Sequence, residues 1–308
     1  MDPLSEVLSL LKPRSYITAG FDAGGEWALL LDDLAGRIKC YAVVSGHCWL
    51  SVEGVEQPVR LQAGDCFVLP SGRVATIGSA PDVAPRRAGD VLDPNGGGRV
   101  VTYNGGGDVF LVGSRFEVNG RHAEVLLRTL PPLMHVETSG DRARLRASIT
   151  LMMEELRECR PGAALVAQQL AHMMLVQALR LYLETSPGKS AGWFTALADP
   201  RVSAALGAIH ADPGRPWTVQ ELAACAGMSR STFAQHFRER AGETPIAYLT
   251  RWRMMLAGER LVEGRESLAR IGQSLGYESE HAFNAAFKRV MGSSPGRYAR
   301  AMGRAPAA

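Results

Sequence analysis

Two hydrophobic periodicities divide the chain. From Gly36 to about Arg115, apolar and polar residues alternate in short runs at 38–44, 48–52, 58–61 and 66–69. Turn clusters separate them: Ser45-Gly46, Glu53-Gly54, Ala63-Gly64-Asp65 and Pro70-Ser71-Gly72. Period-two alternation broken by turn signals at roughly 8–12-residue spacing predicts a small antiparallel barrel or jelly roll. From residue 141 the period lengthens to that of a helix. Leu145, Ile149, Met152, Met153 and Leu156 form one stripe; after Arg160-Pro161-Gly162, a second helix from Leu165 to Leu183 is apolar around much of its circumference. Such a helix is seldom left facing water, so it either covers the barrel or meets a second subunit. Glu184 to Gly192, with Ser, Pro, Gly and Lys, has the composition of a linker.

Beyond residue 200 one pattern is written twice. Leu222 matches Ile271 and Gly227 matches Gly276; after one inserted residue, Phe233, Phe237, Gly242, Pro245 and Tyr248 return fifty positions later as Phe283, Phe287, Gly292, Pro295 and Tyr298. In each copy a short amphipathic helix ends at a glycine able to take positive φ. A serine, Ser229 or Ser279, then caps a second helix whose phenylalanines face inward. Each copy is a helix-turn-helix. The outward face of the first second-helix carries Arg230, Ser231, Thr232, Gln235 and Arg238; that of the second carries Glu280, His281, Asn284, Lys288 and Arg289. These groups are long and polar enough to reach base edges and phosphates. Between the copies, Ile246 to Glu263 is predicted to be one helix. A helical strut would hold two reading heads apart, and adjacent major-groove segments lie about 34 Å apart.

These motifs resemble the DNA-binding domain of the AraC/XylS family of transcription regulators, over roughly residues 200 to 303. The doubled helix-turn-helix, the linker helix centred on Arg253, and Gly276-Tyr277-x-Ser279 through Phe283, Phe287-Lys288-Arg289 and Gly292-x-Ser294-Pro295-x-x-Tyr298 carry the likeness. The resemblance implies double-stranded promoter DNA as a partner, RNA polymerase as a further one, and Ser279 and Arg253 among the DNA-contacting residues. Two departures stand out. The family often has Arg where Gln235 and Ala285 stand, and Ala where Gly272 stands. Gln can still read adenine, whereas Ala285 can donate nothing.

Charge agrees with that division. Residues 200–308 hold 15 Lys and Arg against 9 Asp and Glu, a net of +6, while the first 199 residues carry −3. A phosphate-binding module joined to an ordinary globular domain has this asymmetry. The longest apolar stretch near the N-terminus, Val7 to Leu11, is too short for a signal sequence or a membrane span, and the five cysteines at 40, 48, 66, 159 and 225 lack CxxC spacing. A cytoplasmic protein with free thiols and no membrane partner is expected.

The order of strands and turns in the N-terminal half is similar to a cupin, and to the cupin-type effector domain of one branch of AraC-type regulators. Gly46 to Leu50, Gly64 to Gly72 and Asn104 to Asp108 carry that likeness. Catalytic cupins hold a metal with a His-x-His pair, a Glu and a later His. Here the corresponding region offers Lys39 and Tyr41, and Arg73-Val74-Ala75-Thr76 follow Gly72. Donor atoms are missing for an ordinary open metal site, so no cofactor and no enzymatic activity are expected. The alternative is a cupin-type metalloenzyme fused to a DNA-binding domain. His122 and His135 have no ligand spacing. Cys48 and Cys66, on strands that a cupin could place side by side, are either small core hydrophobes or a thiol pair responding to an oxidant. Trp27, Tyr41, Trp49 and Phe67 either line an apolar effector pocket or fill the barrel.

The resulting expectation is a multidomain β + α protein. A cupin-like barrel with a helical dimerisation pair spans 1–188 and a linker 189–199. An all-α double helix-turn-helix domain then spans 200–303. The protein would act as a homodimeric, sequence-specific transcription regulator controlled by a small molecule or a redox signal sensed in the barrel.

Overall fold

The computed structural model describes residues 2–32, 37–70, 72–92, 100–118, 127, 130–137, 143–158, 160–185 and 192–302. The chain separates into two units: Pro13–Val118 with Pro131–Thr185, and Met1–Lys12 with Asn119–Leu130 and Ser186–Ala308.

The first unit is the barrel. Its strands are β1 (Arg14–Ala23), β2 (Ala28–Leu31), β3 (Arg37–Ser45), β4 (His47–Val52), β5 (Val59–Gln62), β6 (Cys66–Leu69), β7 (Ala75–Gly78), β8 (Arg86–Arg87), β9 (Val100–Tyr103), β10 (Val109–Glu117) and β11 (Met134–Val136). They form a six-stranded sheet ordered β11-β6-β3-β10-β1-β9 and a five-stranded sheet ordered β5-β4-β7-β2-β8. The four runs predicted from alternation appear as β3 to β6. Two expectations are corrected. The sheet starts at Arg14 rather than Gly36, because Gly20 and Asp22 mask a strand that pairs with β10. The barrel is also not wholly antiparallel, since β1 pairs with β9 and β2 with β8 in parallel.

Alternation decides what each strand buries. Val43, Phe67, Leu69, Cys48, Leu50, Leu61, Leu29, Ile77 and Leu111 meet between the sheets in one core. Cys40, Ala42, Cys66, Val68, Met134 and Val136, buried on the opposite pleat of the six-stranded sheet, have registers that place them on its other face. Against this sheet pack α3 (Ala143–Glu158) and α4 (Ala163–Thr185); α2 (Ala88–Val91) is a single turn beside β8. The apolar circumference of α4 is shared. Ala167, Leu170, Ala171, Met174, Leu175, Ala178, Leu179 and Tyr182 are buried, while Leu165, Val166 and Met173 are exposed, as is Leu151 of α3.

The second unit is helical: α1 (Pro3–Leu11), α5 (Trp193–Ala196), α6 (Pro200–Ala211), α7 (Val219–Cys225), α8 (Arg230–Ala241), α9 (Pro245–Glu263), α10 (Leu268–Ser274), α11 (Glu280–Met291) and α12 (Pro295–Met302). By contact, the helical unit takes in two segments that lie outside the expected 200–303. Helix α1 belongs with the helical unit, where it packs on α6 and buries Leu4, Val7, Leu10 and Leu11. The predicted linker 189–199 contains α5, whose Trp193 and Phe194 are fully buried and which packs on α8. Positions 186–191 lie outside the described residues, as do His122, Cys159 and most of the helix-like 123–128 segment.

Candidate nucleic-acid interface

The sequence repeat is a structural repeat. Thr218 caps α7 with its hydroxyl on the Glu221 amide, and the Glu221 carboxylate accepts from the Thr218 amide, closing a capping box. That amide, together with the Arg215 guanidinium, holds the Glu221 carboxyl down to about 2. Ser267 caps α10 at the matching position. The turns open at Gly227 (φ +63°) and Gly276 (φ +79°), a backbone that L side chains resist. Ser229 and Ser279 cap α8 and α11, which end at Gly242 and Gly292, again left-handed. Phe233, Phe237, Phe283 and Phe287 are fully buried, and Tyr248 and Tyr298 close the two cores. Gly272 also has a packing reason: a Cβ there would come within 3.2 Å of the Phe283 ring.

Burying the phenylalanines turns the opposite faces of α8 and α11 outward. Arg230, Ser231, Thr232, Gln235 and Arg238 lie on that face of α8; Glu280, His281, Lys288 and Arg289 are exposed on α11, with Asn284 half-buried. Gln235 donates to Glu239 at 2.9 Å, and the Thr232 hydroxyl meets that of Ser229 at 2.8 Å. Ser279, predicted to contact DNA, uses its hydroxyl to accept the Ala282 amide. Beside α11, His281, Asn284, Ala285 and Lys288 line a groove of about 320 Å³ with Ser294 and Pro295. Arg253 is a correction. Only 9% exposed, it donates Nε to the Pro213 carbonyl at 2.6 Å and Nη2 to the Arg215 carbonyl at 2.8 Å, so its guanidinium is engaged inside the unit rather than on the exposed face expected of it.

Sequence reasoning passed over His210. It is buried at the end of α6, stacked on Trp252 at 3.9 Å and 2.6 Å from the Tyr248 hydroxyl. The Glu6 carboxylate lies 3.3 Å from Nδ1 and would favour the imidazolium. Burial, reinforced by the Arg251 charge, outweighs it and pushes the His210 pKa down to about 3. A lone histidine at a helix end carries no pattern that marks it in advance.

The effector candidates in the barrel separate. Tyr41 and Phe67 stack at 5.5 Å on the core side of the six-stranded sheet. Trp27 is in the core beside Phe21. Trp49 is not, since alternation with Cys48 and Leu50 turns it to the outer face of the five-stranded sheet. The expected Cys48/Cys66 pair is also corrected. Cys48 faces the core from β4, whereas Cys66, on β6, has its sulfur 3.9 Å from that of Cys40 on β3. Burial pushes the Cys48 thiol up to about 12. The Cys40 thiol is raised through its contact with Cys66 and by burial. His135 faces the Asp65 carboxylate at 3.1 Å and tethers β11 to the turn before β6. Among the described residues, no three His, Cys, Asp or Glu side chains are grouped to hold a metal, and no helix is long and apolar enough to cross a membrane.

A cupin family model matches residues 2–184, and a helix-turn-helix domain model matches residues 222–301. A putative AraC-like transcription regulator of Streptomyces lividans is 44% identical over 300 residues, covering 97% of this chain and 98% of that protein. The chain belongs to the AraC-like transcription regulators. A second such regulator, from Streptomyces antibioticus, is 42% identical over 299 residues, covering 97% of this chain and 98% of its own. Among solved structures, the DNA-binding domain of AdpA in complex with a target DNA is 34% identical with a TM-score of 0.30, covering 33% of this chain and 92% of that one. The chain is thus an AraC-type regulator in which a cupin domain accompanies a helix-turn-helix DNA-binding domain.

Proposed function

We propose that this regulator reads duplex DNA with both heads and is controlled through its barrel rather than by catalysis. Arg230, Ser231, Thr232, Gln235 and Arg238 would meet one major-groove segment; His281, Asn284, Lys288 and Arg289 would meet the next. The observation that carries this reading is the matched pair of serine-capped helices, each with a phenylalanine-anchored inner face and a polar outer face. The heads differ in chemistry. Helix α8 offers Gln235 for a base edge, whereas α11 has Ala285 at the equivalent place, so Lys288 and Arg289 there would act chiefly on phosphates. A cytoplasmic homodimer, joined through the exposed Leu165, Val166 and Met173, suits DNA carrying two such sites. A polymerase contact would follow from binding at a promoter.

In the barrel, Tyr41 and Phe67 are the effector candidates that face the core side. Binding of the full-length chain to a library of random duplexes, followed by sequencing of what is retained, tests the DNA reading. Retention should fall steeply with salt as counterions return to the phosphates. Gln235→Ala should relax preference at one position by about 1–3 kcal/mol. An unchanged sequence logo for that variant would show that α8 does not present Gln235 to a base.

A further inference from the structure

The strut α9 holds 19 residues, about 28 Å of helix, and fixes a distance. Rotation of one head against the other also depends on how each head is tied to the strut. Arg253, midway along α9, reaches both. The loop between α6 and α7 belongs to the first head, and its carbonyls at Pro213, Gly214 and Arg215 accept the Arg253 guanidinium at 2.6, 3.4 and 2.8 Å. The same guanidinium lies 5.7 Å from the ring centre of Tyr277, in the turn of the second head. Around it the two backbones touch. A Cβ on Gly276 would sit 2.2 Å from the Gly214 carbonyl oxygen and 2.9 Å from Nη2 of Arg253; one on Gly214 would sit 2.5 Å from the Ser274 carbonyl oxygen.

From this loop the connection reaches the start of α7. Arg215 pairs with Glu221 at 2.7 Å, the carboxylate that closes the capping box, and packs over Trp217 at 4.2 Å.

We propose that Arg253 is a positioning residue that locks the two reading heads in one rotational phase, and that this lock sets the spacing of the DNA sequence the protein accepts. A guanidinium suits the task because its rigid planar fork holds the carbonyls from two nitrogens, Nε and Nη2, whereas an ammonium would have to serve them from one freely rotating nitrogen. Linked heads gain affinity only when both engage simultaneously, so loss of phase appears as loss of spacing preference.

The inference rests on both heads touching DNA, and the experiment separates the two ideas. Full-length wild-type protein, Arg253→Lys and Gly214→Ala are each presented with random duplexes, and the retained sequences are compared. Wild type should retain two sequence blocks at one spacing. In Arg253→Lys each block should persist while the spacing spreads, and affinity for the best wild-type site should fall about tenfold or more. A site lengthened by one base pair should lose much less. Simple loss of folded protein would weaken both sites alike. Gly214→Ala, which wedges the joint and leaves all four helices of the heads intact, guards against a failure of Arg253→Lys to fold and should shift or broaden the spacing. Two blocks whose spacing is unmoved in a folded variant of either kind would overturn the lock and leave the two-headed reading standing. A single block for wild type would overturn both.

The joint can also be measured without DNA. Spin labels at Glu239→Cys and Ala282→Cys, with Cys159 and Cys225 replaced by Ser, should give one narrow distance that broadens in Arg253→Lys. An equally narrow, unshifted distance in that variant would refute the proposal.

Discussion

Between pH 8 and pH 5, acid should destabilise the DNA-binding unit through His210. His210 is neutral in the fold. Stacked on Trp252, it accepts the Tyr248 hydroxyl proton at Nε2 in the tautomer that leaves Nδ1–H toward Glu6. Its folded pKa near 3 lies below the ordinary 6.5. The unfolded chain therefore binds the proton first. Stability is complete above pH 6.5 and falls as pH drops from there toward 3. A tenfold difference in proton affinity between the folded and unfolded chain is worth about 1.4 kcal/mol, so the loss should reach about 2 kcal/mol at pH 5 and saturate at about 3–5 kcal/mol below pH 3.

Because α6, α9 and α1 all meet at this imidazole, the loss should loosen the base of the strut and the docking of the N-terminal helix together. Urea unfolding of wild type and His210→Gln between pH 8 and pH 5 provides the assay. Gln keeps a polar partner for Tyr248 and cannot titrate. Other ionisations are common to both proteins and cancel in the difference. Wild type should lose about 2 kcal/mol relative to the variant across that window. A difference that does not change with pH would refute the reasoning, as would an imidazole resonance of His210 that titrates in the folded protein near pH 6.5.

Three further outcomes are expected. Leu10→Ala, on the buried face of α1, should destabilise the helical unit by about 2–5 kcal/mol in thermal or urea unfolding while leaving the barrel transition in place; a shift confined to the barrel would return α1 to that domain. Met173→Glu with Val176→Glu, one exposed and one half-buried on α4, should turn the proposed dimer into monomer in sedimentation without changing the circular dichroism spectrum, and a wild type already monomeric at micromolar concentration would refute an interface through α4. Under native conditions an aromatic disulfide reagent should label Cys225, which is exposed, and react slowly with buried Cys40, Cys48 and Cys66; a fast thiol lost on Cys48→Ser rather than on Cys225→Ser would revive Cys48 as a responder.

The helical half was legible because its signals are local. Caps, turns and inner faces at Ser229, Gly227, Phe233 and their partners are each set within a few residues, and writing them twice removed ambiguity. The barrel was legible only where period-two alternation was clean, in β3 to β6. Strand β1 carries Gly20 and Asp22, and its place is decided by β10, some ninety residues away.

Which side of a sheet a residue faces followed the same division. Tyr41 and Phe67 share a face because β3 and β6 are neighbours in register, but the Cys48 and Cys66 pairing failed since β4 and β6 lie in different sheets. No spacing rule distinguishes Cys40 from Cys48 as the partner of Cys66; strand order does.

Arg253 shows the same limit from the other side. Family likeness drew attention to it and implied a DNA contact. Its actual partners are carbonyls about forty residues earlier, in a loop whose sequence, Asp212-Pro213-Gly214-Arg215, advertises only a turn. Local pattern finds the reading heads. Their fixed relation to one another is a long-range property, held by a guanidinium and by glycines that leave no room for a side chain.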